Sequence, residues 1–499
     1  MITEFILIII ALGALYSWWN SRSPKKLPPG PSPFFPILGN IPQLIKYKAE
    51  ASYETFDKLV EVYGPVVYIR FGAISQVVVQ DLALAKEVLS SDVWVDRVFD
   101  EYIGERSWGK SLGIIFSWGE VWKEMRRFSM RTLRDFGFGR IQSMESVIDD
   151  EITLVLSSLE NVTSSKKEMS MRQFFTVSIL NILWSMVAGF RFSHEDVKLK
   201  KLINLIDETS KNNPAKAGIV QAFPFLFRFV KNSHRANRRR IFIEEMQNFF
   251  REILDERRKS GSYKEDTPKD FIDVFLQEID AHKNDDSLTN LYTDEQFIMV
   301  LYDLFVAGAE TTSNTLEFAM LYMVLHPEVQ TKVQEEIDRV VGKSRRVTLE
   351  DKSKMPYTEA TLLEIQRVAN VLPVVIRGCN QDTNIAGYHI PKGTLAGISS
   401  ISLHNSKAIW SDPDKFQPER FLDEDKTNIV NANKILPFGH GKRVCLGEAL
   451  ARASLFSYFA SILQRFSLTP SPEHPRPSKV PVNGFTLSPQ EYFVILKQR

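Results

Sequence analysis

A chain of 499 residues with 44% hydrophobic and 25% charged side chains is too long for a peptide module and too evenly balanced for a disordered, collagen-like or wholly membrane-buried polypeptide. Lys+Arg 62 against Asp+Glu 61 leaves a formal charge of +1, so attraction to nucleic acid or anionic lipid would have to come from a local patch and not from a global field. Two cysteines, Cys379 and Cys445, allow at most one disulfide, which excludes a disulfide-stapled fold and fits a reducing compartment.

From the start of the chain, Met1 to Trp19 carries one charge, Glu4, in an otherwise nearly apolar run. As a helix it would be about 28 Å long, close to the ~30 Å hydrocarbon core of a bilayer. Arg22, Lys25 and Lys26 follow at once, and basic flanks stay on the cytoplasmic side. The expected topology is therefore a lumenal N-terminus and a cytosolic body. A cleaved signal peptide competes with this reading, but the run lacks a basic start and ends in bulky Tyr16, Trp18 and Trp19. The glycosylation sequon Asn161-Val162-Thr163 would then face the cytosol and stay unused. Pro28, Pro29, Gly30, Pro31, Pro33 and Pro36 predict a stiff spacer that holds the body at a set distance. The chain divides into an anchor at 1–21, a basic and proline-rich hinge at 22–36, and one body at 37–499.

Val66 to Phe71 and Gln76 to Val79, joined at Gly72, predict two short strands in a body of small sheet content. Gly104 to Ser111 fits the phosphate-binding pattern GxxxxGK[ST], but that mechanism needs a buried strand before it and a helix after it. Here Asp96, Arg97, Asp100 and Glu101 precede it and Gly113 soon follows, so the nucleotide-binding reading is rejected. Lys123, Arg127, Arg131 and Arg134 recur on one helical face, with Trp122 and Arg126 on the adjoining one. The outer stripe suits an acidic protein partner or is simply a solvated face; the inner pair suits a buried carboxylate. From Trp118 to Leu325, and again from Leu446 to Phe466, the period is helical, with loops expected at Lys259 to Lys269 and Asn284 to Asn290.

Thr293-Asp294-Glu295-Gln296 has capping-box spacing and Pro327 limits the other end, so Asp294 to Leu325 predicts one helix of about 48 Å. Its apolar middle holds Ala307-Gly308-Ala309-Glu310-Thr311-Thr312, where small residues admit a ligand, hydroxyls bond back to the i−4 carbonyl, and a buried acid and alcohol suit proton delivery. A kinked packing helix is the plainer alternative. Glu364 and Arg367 share a helical turn, and Arg420 in Pro418-Glu419-Arg420-Phe421 is a third partner for a buried ion network. Finally, Phe438 to Glu448 carries Cys445 just before an apolar-periodic helix, where the helix N-terminus is expected to lower the thiol pKa and make sulfur a metal ligand. No HExxH or CxxC pair supports zinc, whereas a lone thiolate is what haem iron can use. Cys379, without such a loop, reads as a core thiol.

Taken in this order, Trp122/Arg126, Ala307 to Thr312, Glu364/Arg367, Pro418 to Phe421 and the Phe438 to Gly447 loop resemble the cytochrome P-450 superfamily over nearly the whole chain. Phe438, Gly441, Arg443, Cys445 and Gly447 fill every required position of that family's haem-binding signature. The proline-rich start and the stretch from Phe116 to Gly137 resemble its microsomal animal branch, which handles drugs, steroids and fatty acids.

The resemblance implies a mainly α fold, a helical haem-binding body with small β-sheets, plus the N-terminal transmembrane helix. It makes Cys445 the axial ligand of haem b and assigns the propionates to Trp122, Arg126, Arg377 and Arg443. Thr311 and Glu310 match the pair that supplies protons during dioxygen activation. Phe99, Ile103, Ile114, Phe116, Phe305, Ala309, Val371, Val375 and Phe485 would line a pocket for a lipophilic substrate, although each is also a plausible core residue. Ile219 to Phe229 is a second membrane contact or an ordinary packed helix. With no Rossmann or flavin module in the chain, electrons would come from NADPH through a separate flavoprotein, NADPH-cytochrome P-450 reductase, docking on Lys123, Arg127, Arg131, Arg134 and Lys442. A microsomal b-type cytochrome would be an optional second donor. The implied place is the endoplasmic reticulum membrane, and the implied reaction is insertion of one oxygen atom, with no nucleic acid involved. A non-enzymatic membrane haem sensor or lipid-binding protein is the competing class, and Thr311 and Glu310 weigh against it.

Overall fold

The computed structural model describes residues 10–13, 15, 26–32, 35, 38–47, 51–165, 168–211, 223, 229, 233–284 and 291–499. Most of the expected anchor at 1–21 and of the segment 219–229 lies outside the described residues. Among the described residues no helix is long and apolar enough to cross a membrane.

Helices of nine or more residues are α1 Ser52–Tyr63, α2 Leu82–Ser90, α3 Gly119–Asp135, α4 Ile141–Ser165, α5 Thr176–Ala188, α6 Val197–Ser210, α7 His234–Ser260, α8 Phe271–Ala281, α9 Asp294–Leu325, α10 Pro327–Val340, α11 Pro356–Ala369 and α12 Glu448–Arg465. The architecture is mainly helical around α9. Thr293 caps α9 by accepting from the Gln296 N–H at 3.2 Å, Asp294 and Glu295 complement the dipole in its first turn, and Pro327 follows its end. Its residues from Gln296 to Phe305 and Thr315 to Val324 are buried all round, the pattern of a helix enclosed by others. α5 lies alongside, where Thr176 and Ser313 share a hydrogen bond of 2.9 Å and Gly308 leaves room for Leu183. α12 closes the core with Phe456, Tyr458 and Phe459, none of them exposed, and Tyr458 bonds Ser178 of α5.

The strands are few and short. β1 Val66–Phe71 and β2 Ile74–Val79 form an antiparallel hairpin with Val66 opposite Val79. β7 Leu395–Ser399 adds parallel to β2, and β4 Val374–Gly378 adds antiparallel to β7. β3 Met169–Ser170, β9 Phe493–Gln498 and β8 Phe466–Pro470 make a second sheet, and β5 Thr383–Ile385 with β6 Tyr388–Ile390 a small third.

The proline-rich stretch differs from a free spacer. Pro28 and Pro31 are buried, the Tyr68 N–H donates to the Pro29 carbonyl at 2.9 Å, and Asn40 Nδ2 reaches the Pro31 carbonyl at 2.7 Å. A Cβ on Gly30 would meet the Tyr68 carbonyl at 2.0 Å, so only glycine lets this segment lie on the edge of β1. Proline, which has no N–H to leave unpaired, suits such an edge. The sequon sits inside α4, where Thr163 bonds back to the Leu159 carbonyl at 2.8 Å. The expected loop at Lys259 to Lys269 begins after α7 ends at Ser260, and residues 285–290 lie outside the described residues.

Candidate active site

The site begins with the loop before α12. Gly439 and Gly441 adopt φ of 75° and 70°, and the Cys445 N–H turns back to the Phe438 carbonyl at 2.9 Å. Arg452 of α12 stands over the Phe438 ring at 4.8 Å. The Cys445 side chain is exposed while its neighbour Arg443 is buried, so the sulfur faces open space from an otherwise closed loop. The expected lowering of the thiol pKa is corrected here. Burial of the loop pushes it up, Glu448 at the head of α12 pushes the same way, and the Gly447 N–H and Arg126 only partly oppose them. Cys379 is a buried thiol whose S–H donates to the Pro391 carbonyl at 3.1 Å.

Four guanidinium groups gather beside this loop. Arg126 of α3 donates to the Val444 carbonyl at 2.7 Å, and Arg443 lies over the Trp122 ring at 3.9 Å while bonding the Val95, Ile114 and Ser117 carbonyls. Arg377 arrives on β4, and Arg97 is brought next to it because Asp96 and Gly378 exchange backbone hydrogen bonds of 3.2 and 2.8 Å. Arg97 and Arg377 both donate to the Ile376 carbonyl, at 2.8 and 3.1 Å. Burial, and then the neighbouring guanidinium groups, depress the pKa of Arg377 and Arg443. The buried Nε atoms of Arg97 and Arg377 have no acceptor. A concentration of buried positive charge with unspent donors is costly unless an anion joins it. A haem, with two propionate carboxylates and one iron for one sulfur, fits this donor set. Arg97 was not singled out as a site residue in the sequence, where it figures only as a charge ahead of the phosphate-loop look-alike; its place in this cluster depends on a contact 280 residues away in the chain, between Arg97 and Arg377.

The polar centre of α9 is more divided than its sequence suggests. Thr311 Oγ1 donates to the Ala307 carbonyl at 2.9 Å, the expected back-bond. Glu310, the adjacent residue, is held elsewhere: its carboxylate accepts from Ser210 Oγ at 3.0 Å and Thr486 Oγ1 at 2.8 Å. Burial raises its pKa, and these two hydroxyls only partly offset that. Among the small residues, Ala307 is exposed, Gly308 accommodates Leu183, and Ala309 is buried.

Of the expected pocket residues, Phe99 lies against Trp118 with ring centroids 4.8 Å apart, and Ile103, Ile114 and Phe116 sit on the same stretch before α3. The Val371 carbonyl accepts from the Leu487 N–H at 2.8 Å, two residues from Phe485. Phe485 itself is 59% exposed, Val375 belongs to the core beneath the four-stranded sheet, and Phe305 is fully buried among Trp184, Phe249 and Phe250.

Glu364 and Arg367 of α11 form a bidentate pair at 2.7 and 2.8 Å, and Arg420 Nε joins Glu364 at 3.1 Å, all three being buried. On α3, Lys123, Arg127, Arg131 and Arg134 are exposed while Trp122 is buried and Arg126 half-buried, so the two faces separate as their spacing implies. Lys442 is also exposed and pairs with Asp92. The Gly104 to Ser111 stretch follows a short helical turn at Glu101–Gly104, not a strand, and its Lys110 pairs with Glu295.

A family model described as cytochrome P450 matches residues 28–496. Among curated relatives, Cytochrome P450 2J5 of Mus musculus is 35% identical over 493 residues, covering 98% of this chain and 94% of its own length. Farnesoate epoxidase of Bombyx mori is 34% identical over 497 residues, 99% of this chain and 98% of its own. Cytochrome P450 2J2 of Homo sapiens is 36% identical over 481 residues, 94% and 90% respectively. These are animal proteins, in keeping with the branch that the sequence resembles.

Proposed function

The chain belongs to the cytochrome P450 family of haem monooxygenases, and we propose that this member is anchored in the endoplasmic reticulum membrane and oxygenates lipophilic small molecules with electrons from an NADPH-dependent flavoprotein reductase. The observation that carries the reading is the meeting of one open-faced thiol, Cys445, with four guanidinium groups, Arg377 and Arg443 buried and Arg97 and Arg126 half-buried, of which Arg97 and Arg377 keep a buried donor unspent. Haem, when bound, supplies the one-electron and dioxygen chemistry that no side chain can. Trp122, Arg97, Arg126, Arg377 and Arg443 would hold its carboxylates and Cys445 would hold its iron, as a thiolate whose charge the cation offsets against the burial that raises the thiol pKa.

Thr311 Oγ1 and the Glu310 carboxyl carry protons into the site, Glu310 from a position tied to Ser210 at the end of α6 and to Thr486. Phe99, Ile103, Ile114, Phe116 and Val371 bound the substrate space, an apolar wall that selects by shape. Hydroxylation, dealkylation and epoxidation are all open to such a site, and one relative carries the name epoxidase. Anchoring rests on the apolar run from Met1 to Trp19 and its basic flank.

Turnover tests the reading. The haem-loaded chain with NADPH and a flavoprotein reductase is expected to convert lipophilic compounds to products carrying one added oxygen atom, with no product when reductase is omitted; product formation independent of reductase, or none across a broad panel, would contradict it. In the same assay Arg127→Glu, which reverses an exposed charge of the α3 stripe, is expected to slow haem reduction about tenfold at low salt and to leave haem content unchanged. Equal reduction rates would remove that stripe as the docking face.

A further inference from the structure

Glu317 lies about two turns beyond Glu310 on α9 and belongs to none of the motifs of the sequence. At i, i+3 and i+7 spacing, Glu310, Ser313 and Glu317 fall on one face of the helix, the two acids about 10 Å apart along its axis. Glu317 is 4% exposed, and its Oε1 accepts from the Gln173 N–H at 2.9 Å and from Ser313 Oγ at 3.4 Å. Neither partner is charged. The cations whose fields reach it, Arg172 and Lys211, are paired with Asp207 of α6 at 2.7 and 2.6 Å. Burial therefore dominates and pushes the Glu317 pKa up to about 8; the Asp207 carboxylate adds to the rise, while the two hydrogen bonds and Lys211 only partly oppose it. At neutral pH this acid keeps its proton.

Two contacts join it to the site. Ser313 Oγ also bonds Thr176 Oγ1, at the start of α5, at 2.9 Å. Thr176 and Glu310 then line the same cavity between α5, α6 and α9, together with Gln173, Asp207 and Asn314. Its volume is about 10 Å³, enough for about one water. Hydroxyls both donate and accept, so Glu317, Ser313, Thr176, a cavity water and Glu310 make a line along which each O–H can pass a proton to the next oxygen. The plainer role is a clamp: Gln173 takes a left-handed φ of 56°, which a non-glycine residue keeps only where its surroundings fix it, and its bond to Glu317 helps to fix it. A clamp needs only an acceptor, which glutamine also supplies. The line of hydroxyls needs a group that releases a proton.

We propose that Glu317 is a second acid of the proton path, storing a proton that it passes through Ser313 and Thr176 to Glu310. In the transfer one O–H bond breaks at Glu317 and one forms at Glu310, and each hydroxyl between them gives up one proton and takes one. Asp207, paired with exposed Arg172, is the side from which solvent returns the proton. Glu317 acts through Glu310 and touches no reacting atom. The inference rests on the monooxygenase function proposed above, and its test has two readouts so that the two fail separately.

Oxygen insertion uses dioxygen, two electrons and two protons per substrate and yields one water; when proton delivery lags, the same electrons leave as hydrogen peroxide. In the haem-loaded chain with its reductase, Glu317→Gln is expected to lower product per NADPH about fivefold with a matching rise in peroxide, below the ~100-fold that an acid at the reacting atoms supplies. The solvent deuterium effect on that ratio is expected to grow, which a merely loosened fold would not cause, and haem content is expected to stay at the parent value. Ser313→Ala, which cuts the line and leaves Glu317 in place, is expected to lower the ratio equally. The second readout needs no turnover: the infrared difference between parent and Glu317→Gln at neutral pH is expected to show the carbonyl band of one protonated carboxyl. An unchanged ratio in Glu317→Gln, a loss that Ser313→Ala does not share, or the absence of that band overturns the proposal and leaves Glu317 a clamp. A parent chain that forms no product would overturn the function proposed above instead, and the infrared band would still decide whether Glu317 holds a proton to give.

Discussion

Glu364→Ala is expected to destabilise the chain by about 3–5 kcal/mol and to strip haem from what remains folded, because it leaves two buried guanidinium groups without their shared anion. Glu364 accepts from Arg367 twice, from Arg420 and from the Gln417 N–H at 2.9 Å. The two arginines spend their other donors on carbonyls of the following meander: Arg367 on His404, Pro413 and Lys415, Arg420 on Ser411, Asp412 and Lys415. His404 carries the restraint onward. Its Nε2 accepts from the Leu436 N–H at 2.8 Å, just ahead of the Phe438 turn, and burial lowers its pKa to about 3, which keeps that nitrogen free to accept. A network that starts at α11 therefore ends at the cysteine loop. Thermal unfolding and haem content per chain check the expectation together; a variant with the parent midpoint and full haem would show that the network does not support the loop.

Gly441→Ala is expected to be nearly as damaging through geometry alone. A Cβ at this position would lie 2.0 Å from the Leu89 carbonyl oxygen and 2.8 Å from the Ser90 Cα, and neither is a side chain that can swing away. The loop itself must move, and a displacement of about 1 Å at a reacting centre can cost about a hundredfold in rate. Gly439 supplies the control. It has the same left-handed backbone, with φ +75°, but nothing lies within 4 Å of where its Cβ would go. Gly439→Ala should therefore cost only the conformational penalty of about 1 kcal/mol and keep the haem. Equal losses of haem and turnover in the two variants would mean that backbone strain, and not the contact with α2, governs the loop.

The contrast between these glycines also marks what the sequence could express. Local rules reached far: the cap at Thr293, the stop before Pro327, the bidentate pair at i, i+3 on α11 and the two faces of α3 all follow from spacing along one helix. Features set by distant parts of the chain stayed hidden. That Gly441 meets α2, that Arg97 joins Arg377, and that Glu310 is held by Ser210 and Thr486 are consequences of tertiary contact between segments with no shared period. The raised pKa of Cys445 belongs to the same class. A helix N-terminus and Glu448 three residues on were visible in the sequence, whereas the burial of the loop, the largest cause of the rise, was not. Asp303 is the clearest case, since an aspartate in an apolar helix run gives no sign of the Ile114 and Ile115 amides it will meet.

The most direct test of the account is the absorption spectrum of the ferrous carbon monoxide adduct, recorded on the haem-loaded chain and on Cys445→Ala side by side. Sulfur ligation predicts the strongly red-shifted Soret band in the first and its loss in the second, with haem still bound through the arginine cluster. A parent chain without that band, or an alanine variant that retains it, would contradict the assignment of Cys445 and the oxygenase chemistry built on it.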